Sequence, residues 1–165
     1  LDLSGDLDRQ DLEKQLAGLT EKGLLTPEEA ERVDTASLVW FWSSSLGREL
    51  RARARRLARE VSFGVGLPAR LVHPELPSET AAEEKVLVQG KIDLLAEVED
   101  GFLLVDFKTG REPEERERLA TYVRQLFYYA QAVEAVFGRK VREAYLVFLG
   151  EGKIVPVGVG ETGEA

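Results

Sequence analysis

Two apolar-rich runs, Val86–Val98 and Phe102–Lys108, stand either side of Glu99-Asp100-Gly101. Their residues alternate as strands do, and Asp-Gly between two such runs is a strong hairpin signal. The segment therefore predicts an antiparallel pair around which the rest of the chain must be arranged. A two-residue loop at Glu99-Asp100 sets Asp93 opposite Asp106, whereas a loop at Asp100-Gly101 sets Asp93 opposite Lys108. In both registers Asp93, Asp106 and Lys108 are expected on one face, because residues two apart on a strand point the same way. Only a one-residue slip, pairing Asp93 with Phe107, breaks the group.

Two neighbouring carboxylates in an apolar setting cannot both stay ionised without a cation, and hard oxygen donors favour Mg²⁺ or Mn²⁺. Lys108 adds a point positive charge, suited to orienting or deprotonating an attacking water and to stabilising charge on a pentacoordinate phosphorus. The main-chain carbonyl of Phe107 is a further oxygen donor. The pattern fits a metal-dependent phosphodiesterase centre. Asp-x-Lys alone is a common tripeptide, and it equally describes strand-end acids paired with Lys91 and Lys108 on a solvated edge.

Residues from about Pro113 to Phe137 predict a long helix. Tyr122, Gln125 and Tyr129 fall three and four apart on one of its faces. An amide and a phenol there can hydrogen-bond a phosphate or the nucleophilic water, and a tyrosine ring can stack on a base. The other reading of the helix is purely structural: Leu119, Val123, Leu126, Ala130 and Val133 pack on a sheet and the tyrosines fill core corners. Glu60 opens an expected strand, Glu60–Leu67. It stands as a third metal ligand, as a group that orients the ligands, or as an ordinary strand-end charge.

Gly90-Lys91-Ile92-Asp93, Val105-Asp106-Phe107-Lys108-Thr109 and Tyr122-x-x-Gln125-Leu126-x-x-Tyr129-Ala130, in that order, resemble the RecB-type branch of the PD-(D/E)XK nuclease superfamily. Four further stretches are similar to the nuclease domains of AddA-type helicase–nucleases: Lys22-Gly23-Leu24-Leu25-Thr26-Pro27-Glu28-Glu29, Leu46-Gly47-Arg48, Arg59-Glu60-Val61-Ser62-Phe63 and Val86-Leu87-Val88-Gln89-Gly90. The likeness runs over nearly the whole chain. It implies a Mg²⁺-dependent DNA exonuclease in which Asp93 and Asp106 hold metal, Lys108 assists the water, and Gln125 with Tyr129 and Tyr122 positions the strand. It also implies single-stranded DNA delivered by a helicase portion of the same polypeptide, an AddB-type partner, and a role in double-strand-break repair and recombination. That family carries a metal-binding histidine on a helix upstream of the segment matched by Leu1-Asp2-Leu3, and no such helix lies in this sequence. ATP would act only through a motor outside the chain, since no Walker-type phosphate loop is present.

Composition narrows the alternatives. The 165 residues contain no cysteine, which excludes disulfides, thiolate zinc and thiol catalysis. It also disfavours a stand-alone Cas4-like nuclease, whose iron–sulfur cluster needs cysteine ligands. The chain begins at Leu1 and has no methionine, so a fragment of a larger protein is expected. His73, the single histidine, sits in a proline-bracketed run and reads as a surface residue. A net charge of −8 argues against a free-standing DNA-binding module, because phosphate contacts dominate non-specific affinity. Arg48, Arg51, Arg53, Arg55, Arg56 and Arg59 are nonetheless expected to crowd one helix, as a solvated face or as a contact for phosphates or an acidic partner. With no membrane-length apolar run and no secretory signal, a bacterial cytoplasmic location is expected.

Elsewhere, Asp8–Leu19 predicts a helix stopped at Gly23, and Thr26-Pro27-Glu28-Glu29 a capped second helix. Val39-Trp40-Phe41-Trp42 reads as core or as a docking face. Leu76–Glu84 reads as a loop, Val141–Leu149 and Lys153–Val159 as strands, and Glu161–Ala165 as a frayed tail. Together these give an α/β fold, a restriction-endonuclease-like mixed sheet of about five strands flanked by helices. One domain is expected over residues 1–165, with 1–58 mainly helical and 59–160 forming the nuclease core. A catalytically inactive nuclease-fold scaffold is the competing functional class.

Overall fold

The structure, a computed structural model, describes residues 2–3, 5–53, 56–73, 75, 84–110, 112–113 and 116–160. Leu76–Glu83, Arg55 and the Glu161–Ala165 tail therefore lie outside the described residues, and with them most of the expected loop. Four helices come first: α1 (Arg9–Glu21), α2 (Pro27–Glu31), α3 (Thr35–Ser43) and α4 (Ser45–Ala52). Asp8 caps α1, and Gly23 follows it with φ of 67°, the left-handed turn that ends a helix. Thr26 and Glu29 form the reciprocal capping box at α2, with Pro27 as its first residue.

Five strands make one sheet in the order β1 (Leu57–Pro68), β2 (Lys85–Val98), β3 (Gly101–Lys108), β4 (Val141–Phe148) and β5 (Lys153–Val157). A short helix, α5 (Ala69–Val72), follows β1, and the long helix α6 (Arg116–Phe137) crosses from β3 to β4. Only β3 and β4 are parallel, as a helical crossover requires; the other neighbours are antiparallel. The sheet is mixed, five-stranded and covered by helices, as expected.

Helices cover both faces. On one, Phe41, Trp42, Leu46 and Leu50 of α3 and α4 pack with Leu94, Ala96, Leu103 and Val105. The Trp-Phe-Trp cluster is thus core, and the Phe41 ring meets Phe107 edge-on at 4.9 Å. On the other face Leu126, Tyr129 and Val133 of α6 pack with Ile92, Leu104, Leu146 and Phe148.

The arginines do not share one helix. α4 ends at Ala52, Arg53 caps it, and Arg59 lies in β1. Arg51 donates to the carbonyls of Gly5 and Asp6, Arg48 to that of Ser43, and Arg53 pairs with Glu49. These guanidinium groups tie the helical layer together. His73 is exposed and stands 3.1 Å from Glu75, in keeping with a surface histidine.

Candidate active site at the end of β3

The β2–β3 turn is Glu99-Asp100, and Val98 pairs with Gly101 at φ of 156°, a conformation open to glycine. A side chain there would sit 2.1 Å from the Lys140 carbonyl, so the glycine also lets β3 approach the start of β4. Pairing runs inward to Leu94–Val105 and stops. One step further, where Asp93 and Asp106 would face each other, a side chain takes over from the ladder: the Phe107 N–H donates to Asp93 Oδ2 at 2.7 Å. The register is the one that brings the two acids together.

The side chains do not, however, share one face. Ile92 belongs to the core under α6 and Leu94 to the core under the N-terminal helices, although they are two apart. The alternation therefore switches at Asp93. β1 switches at the same level, since Val61 joins the α6 side and Leu57 packs on the helical side. Between them Glu60 has φ of 55°, a left-handed conformation rare for glutamate. Asp93 and Glu60 both line a cavity of about 380 Å³ with Phe41, Trp42 and Phe107. Asp106 and Lys108 keep the ordinary alternation and face α6. Asp93 reaches the end of β3 from one side of the sheet, and Asp106 occupies the other.

Asp106 is 3% exposed, the buried charged residue among the described ones. Burial pushes its carboxyl above the usual range, Lys108 opposes the shift, and the charge of Asp93 adds to it. Lys108 Nζ stands 2.7 Å from Asp106 Oδ2 as an ion pair, and it is the one side-chain partner shown for that buried oxygen among the described residues. A buried carboxylate with one ammonium partner and the charge of a second carboxylate acting on it suits a divalent cation. Among the described residues no three acidic or histidine side chains gather as a complete metal cluster. The donors that fit are Asp93, Asp106 and main-chain oxygen, with Glu60 at the cavity wall. Glu60 is ion-paired with Lys91 at present, and that pairing raises the pKa of Lys91, with Asp93 adding to it.

From Lys108 a relay runs into α6. Its ammonium donates to Gln125 Oε1 at 3.0 Å and lies 4.4 Å above the Tyr122 ring; Gln125 Nε2 donates to the Tyr129 hydroxyl at 2.7 Å. This corrects part of the expectation for the helix. Tyr129 is 9% exposed, packed edge-on to Phe63 at 5.3 Å, so its ring is not available to stack on a base. Tyr122 is half-buried, with the Lys108 ammonium over its ring. Both polar ends of Gln125 are engaged within the protein. Tyr122 and Gln125 contact Lys108 directly, and Tyr129 contacts Gln125.

The described helices include none long and apolar enough to cross a membrane. Comparison with known proteins agrees with the geometry. Over 152 residues, 92% of the chain, it is 45% identical to an ATP-dependent helicase/nuclease of Moorella thermoacetica. Identity is 41% over 159 residues to the helicase/nuclease of the same name from Carboxydothermus hydrogenoformans, and 43% over 159 residues to that from Desulforudis audaxviator. These alignments take in 95% and 94% of the chain. The chain spans 11 to 13% of the length of these curated relatives. The model of the PD-(D/E)XK nuclease superfamily matches residues 3–161, and the chain belongs to that superfamily.

Proposed function

We propose that this chain hydrolyses phosphodiester bonds of single-stranded DNA with Mg²⁺ or Mn²⁺, as the exonuclease domain of an AddA-type helicase–nuclease. The observation that carries the reading is the contact of Lys108 with both the buried Asp106 carboxylate and Gln125. Asp93, Asp106 and the Phe107 carbonyl are the proposed metal ligands, with Glu60 as an additional carboxylate. The ion, when bound, supplies positive charge at the scissile phosphate and acidifies the attacking water.

The protein's own groups do the positioning. Lys108 presents its ammonium to the water and to a non-bridging phosphate oxygen, where negative charge grows in the transition state. Gln125 fixes the direction of that ammonium through its carbonyl, and Tyr129 fixes Gln125 from below. The Tyr122 ring adds a cation–π contact to the Lys108 ammonium. In this reading residues 1–165 are one nuclease domain of a longer bacterial cytoplasmic polypeptide. Its helicase portion supplies the strand at the expense of ATP, and an AddB-type protein is its partner in double-strand-break repair.

The test is calorimetric titration of Mn²⁺ into the chain and into Asp106→Ala, with cleavage of a single strand assayed alongside. Metal binding that disappears in the variant, together with metal-dependent cleavage, supports the nuclease. Identical titrations and no cleavage would leave a nuclease fold serving as a scaffold.

A further inference from the structure

Beyond the catalytic end of the sheet two strands continue alone. β3 pairs with β2 only from Leu94 onward, whereas β1 and β2 stay paired out to Pro68 and Lys85. The result is a two-stranded ribbon extending away from Asp93. One of its faces packs on α6, where Val61 and Phe63 join the core beside Tyr129.

On the other face the described residues are exposed. From β1 it presents Ser62, Gly64 and Gly66, all exposed. From β2 it presents Lys91, Gln89, Leu87 and Lys85, also exposed, with Leu87 at 66%. None of these is acidic, in a chain with 30 acidic residues and a net charge of −8. The glycines leave room for longer neighbours to lie across β1: an added Cβ would meet the Gln89 side chain at 3.6 Å from Gly64, and Lys85 Cδ at 3.4 Å from Gly66.

We propose that this open ribbon face is the track of the DNA strand, which meets the site from the Asp93 side of the sheet and reaches Asp106 and Lys108, on the opposite face, past the end of β3. The inference rests on the nuclease reading and adds a path to it. Lys91, Gln89, Leu87 and Lys85 follow Asp93 at two-residue steps of about 6.7 Å, close to the step between phosphates of an extended single strand. Lys91 and Lys85 pair with phosphates, Gln89 hydrogen-bonds the backbone between them, and Leu87 underlies a sugar or base. Lys85 and, once it leaves Glu60, Lys91 give a polyanion a point of attachment on a molecule whose total charge repels it. Lys91 exchanges Glu60 for phosphate when the strand arrives.

Two measurements on the 165-residue chain test the track. The double variant Lys85→Glu/Gln89→Glu alters only exposed side chains. Its KM for a long single strand should rise on the order of ten-fold, with kcat and dinucleotide cleavage unchanged. Its salt slope for strand binding should become shallower by about 0.7 for the lost lysine contact. Because the chain has no cysteine, Gln89→Cys also supplies a unique thiol for disulfide cross-linking to a thiol-bearing oligonucleotide. Leu24→Cys, at a position 66% exposed on the helical side, is the control. Cross-linking at residue 89 alone supports the track. Equal cross-linking at both positions or at neither, or an unchanged KM and salt slope while wild-type cleavage is intact, overturns the track and leaves the nuclease standing. Cross-linking at residue 89 without metal-dependent cleavage has the opposite meaning: the strand is held but not cut.

Discussion

Lys108 Nζ and Gln125 Oε1 are 3.0 Å apart, and this one hydrogen bond joins the end of β3 to the middle of α6. In the proposed reaction Gln125 acts through Lys108. Gln125→Ala should lower kcat by about 10- to 100-fold, as loss of a group that orients a site residue does, while leaving KM for the strand nearly unchanged. Steady-state kinetics with a single-stranded substrate separates the two constants. A rise in KM at constant kcat would instead make Gln125 a strand-binding residue.

Gly90 lies beneath the relay. A methyl group there would sit 2.8 Å from both Phe63 Cζ and Tyr129 Cε1, with no flexible chain end to yield. Gly90→Ala should cost about 1–3 kcal/mol of stability through overpacking, and should also lower kcat, because the displaced Tyr129 carries Gln125. Tyr129→Phe keeps the ring and removes only the hydroxyl that receives Gln125, so it should cost about 1 kcal/mol and reduce kcat less than Gln125→Ala does. Denaturant unfolding and kinetics on the pair check the order.

The raised pKa of Asp106 has a definite sign in stability. Its folded carboxyl holds a proton more tightly than the unfolded one, so its favourable contribution is complete below about pH 3.9 and is lost as pH rises through the folded value. As pH rises that contribution is lost, and without metal Lys108 is the side chain that offsets the carboxyl's burial. Asp106→Asn should raise the melting temperature of the metal-free chain by a few degrees, on the scale of about 2–4 °C per kcal/mol for a domain of this size. Added Mn²⁺ should stabilise the wild type and not the variant. Calorimetric melts with chelator and with Mn²⁺ decide it; a variant less stable than wild type in chelator would contradict the account.

Glu60 holds a left-handed backbone at the site wall. Glu60→Gly should remove a strain of about 1–2 kcal/mol, partly offset by glycine's larger unfolded-state entropy, and so leave the fold equal or slightly more stable. Cleavage should fall at limiting Mn²⁺ if the carboxylate assists the ion. Equal Mn²⁺ dependence in wild type and variant would remove Glu60 from the metal's surroundings.

Local spacing made much of this legible. Alternation and a two-residue turn narrow the hairpin to two registers, of which the structure has the Glu99-Asp100 turn; the capping box follows from Thr26 and Glu29, and the grouping of Tyr122, Gln125 and Tyr129 from helical periodicity. Spacing also explains what was not legible. Alternation assumes a regular strand, and nothing in Glu60 or Asp93 announces that both strands change sides there, because the cause is a tertiary junction between two cores. Helical spacing groups Tyr129 with Gln125 but cannot say whether the ring meets a nucleobase or Phe63. The arginine run looks like one helix until the chain must leave α4 to enter β1. Gly90 carries the nearest hint of the relay's foundation, since a glycine inside a strand marks a close approach, here by Phe63 and Tyr129.

The order of elements along the chain has a consequence for biosynthesis. The reacting groups lie on β2, β3 and α6, which are consecutive and joined by short connections, so their assembly closes small loops and belongs to the fast, low-contact-order part of folding. The helices α1 to α4 leave the ribosome earlier, with Phe41, Trp42 and Leu50 uncovered until Leu94, Ala96, Leu103 and Val105 arrive to meet them. In the nascent polypeptide the sticky surface is therefore the helical layer, and chaperone demand should concentrate there, on the side of the molecule away from α6.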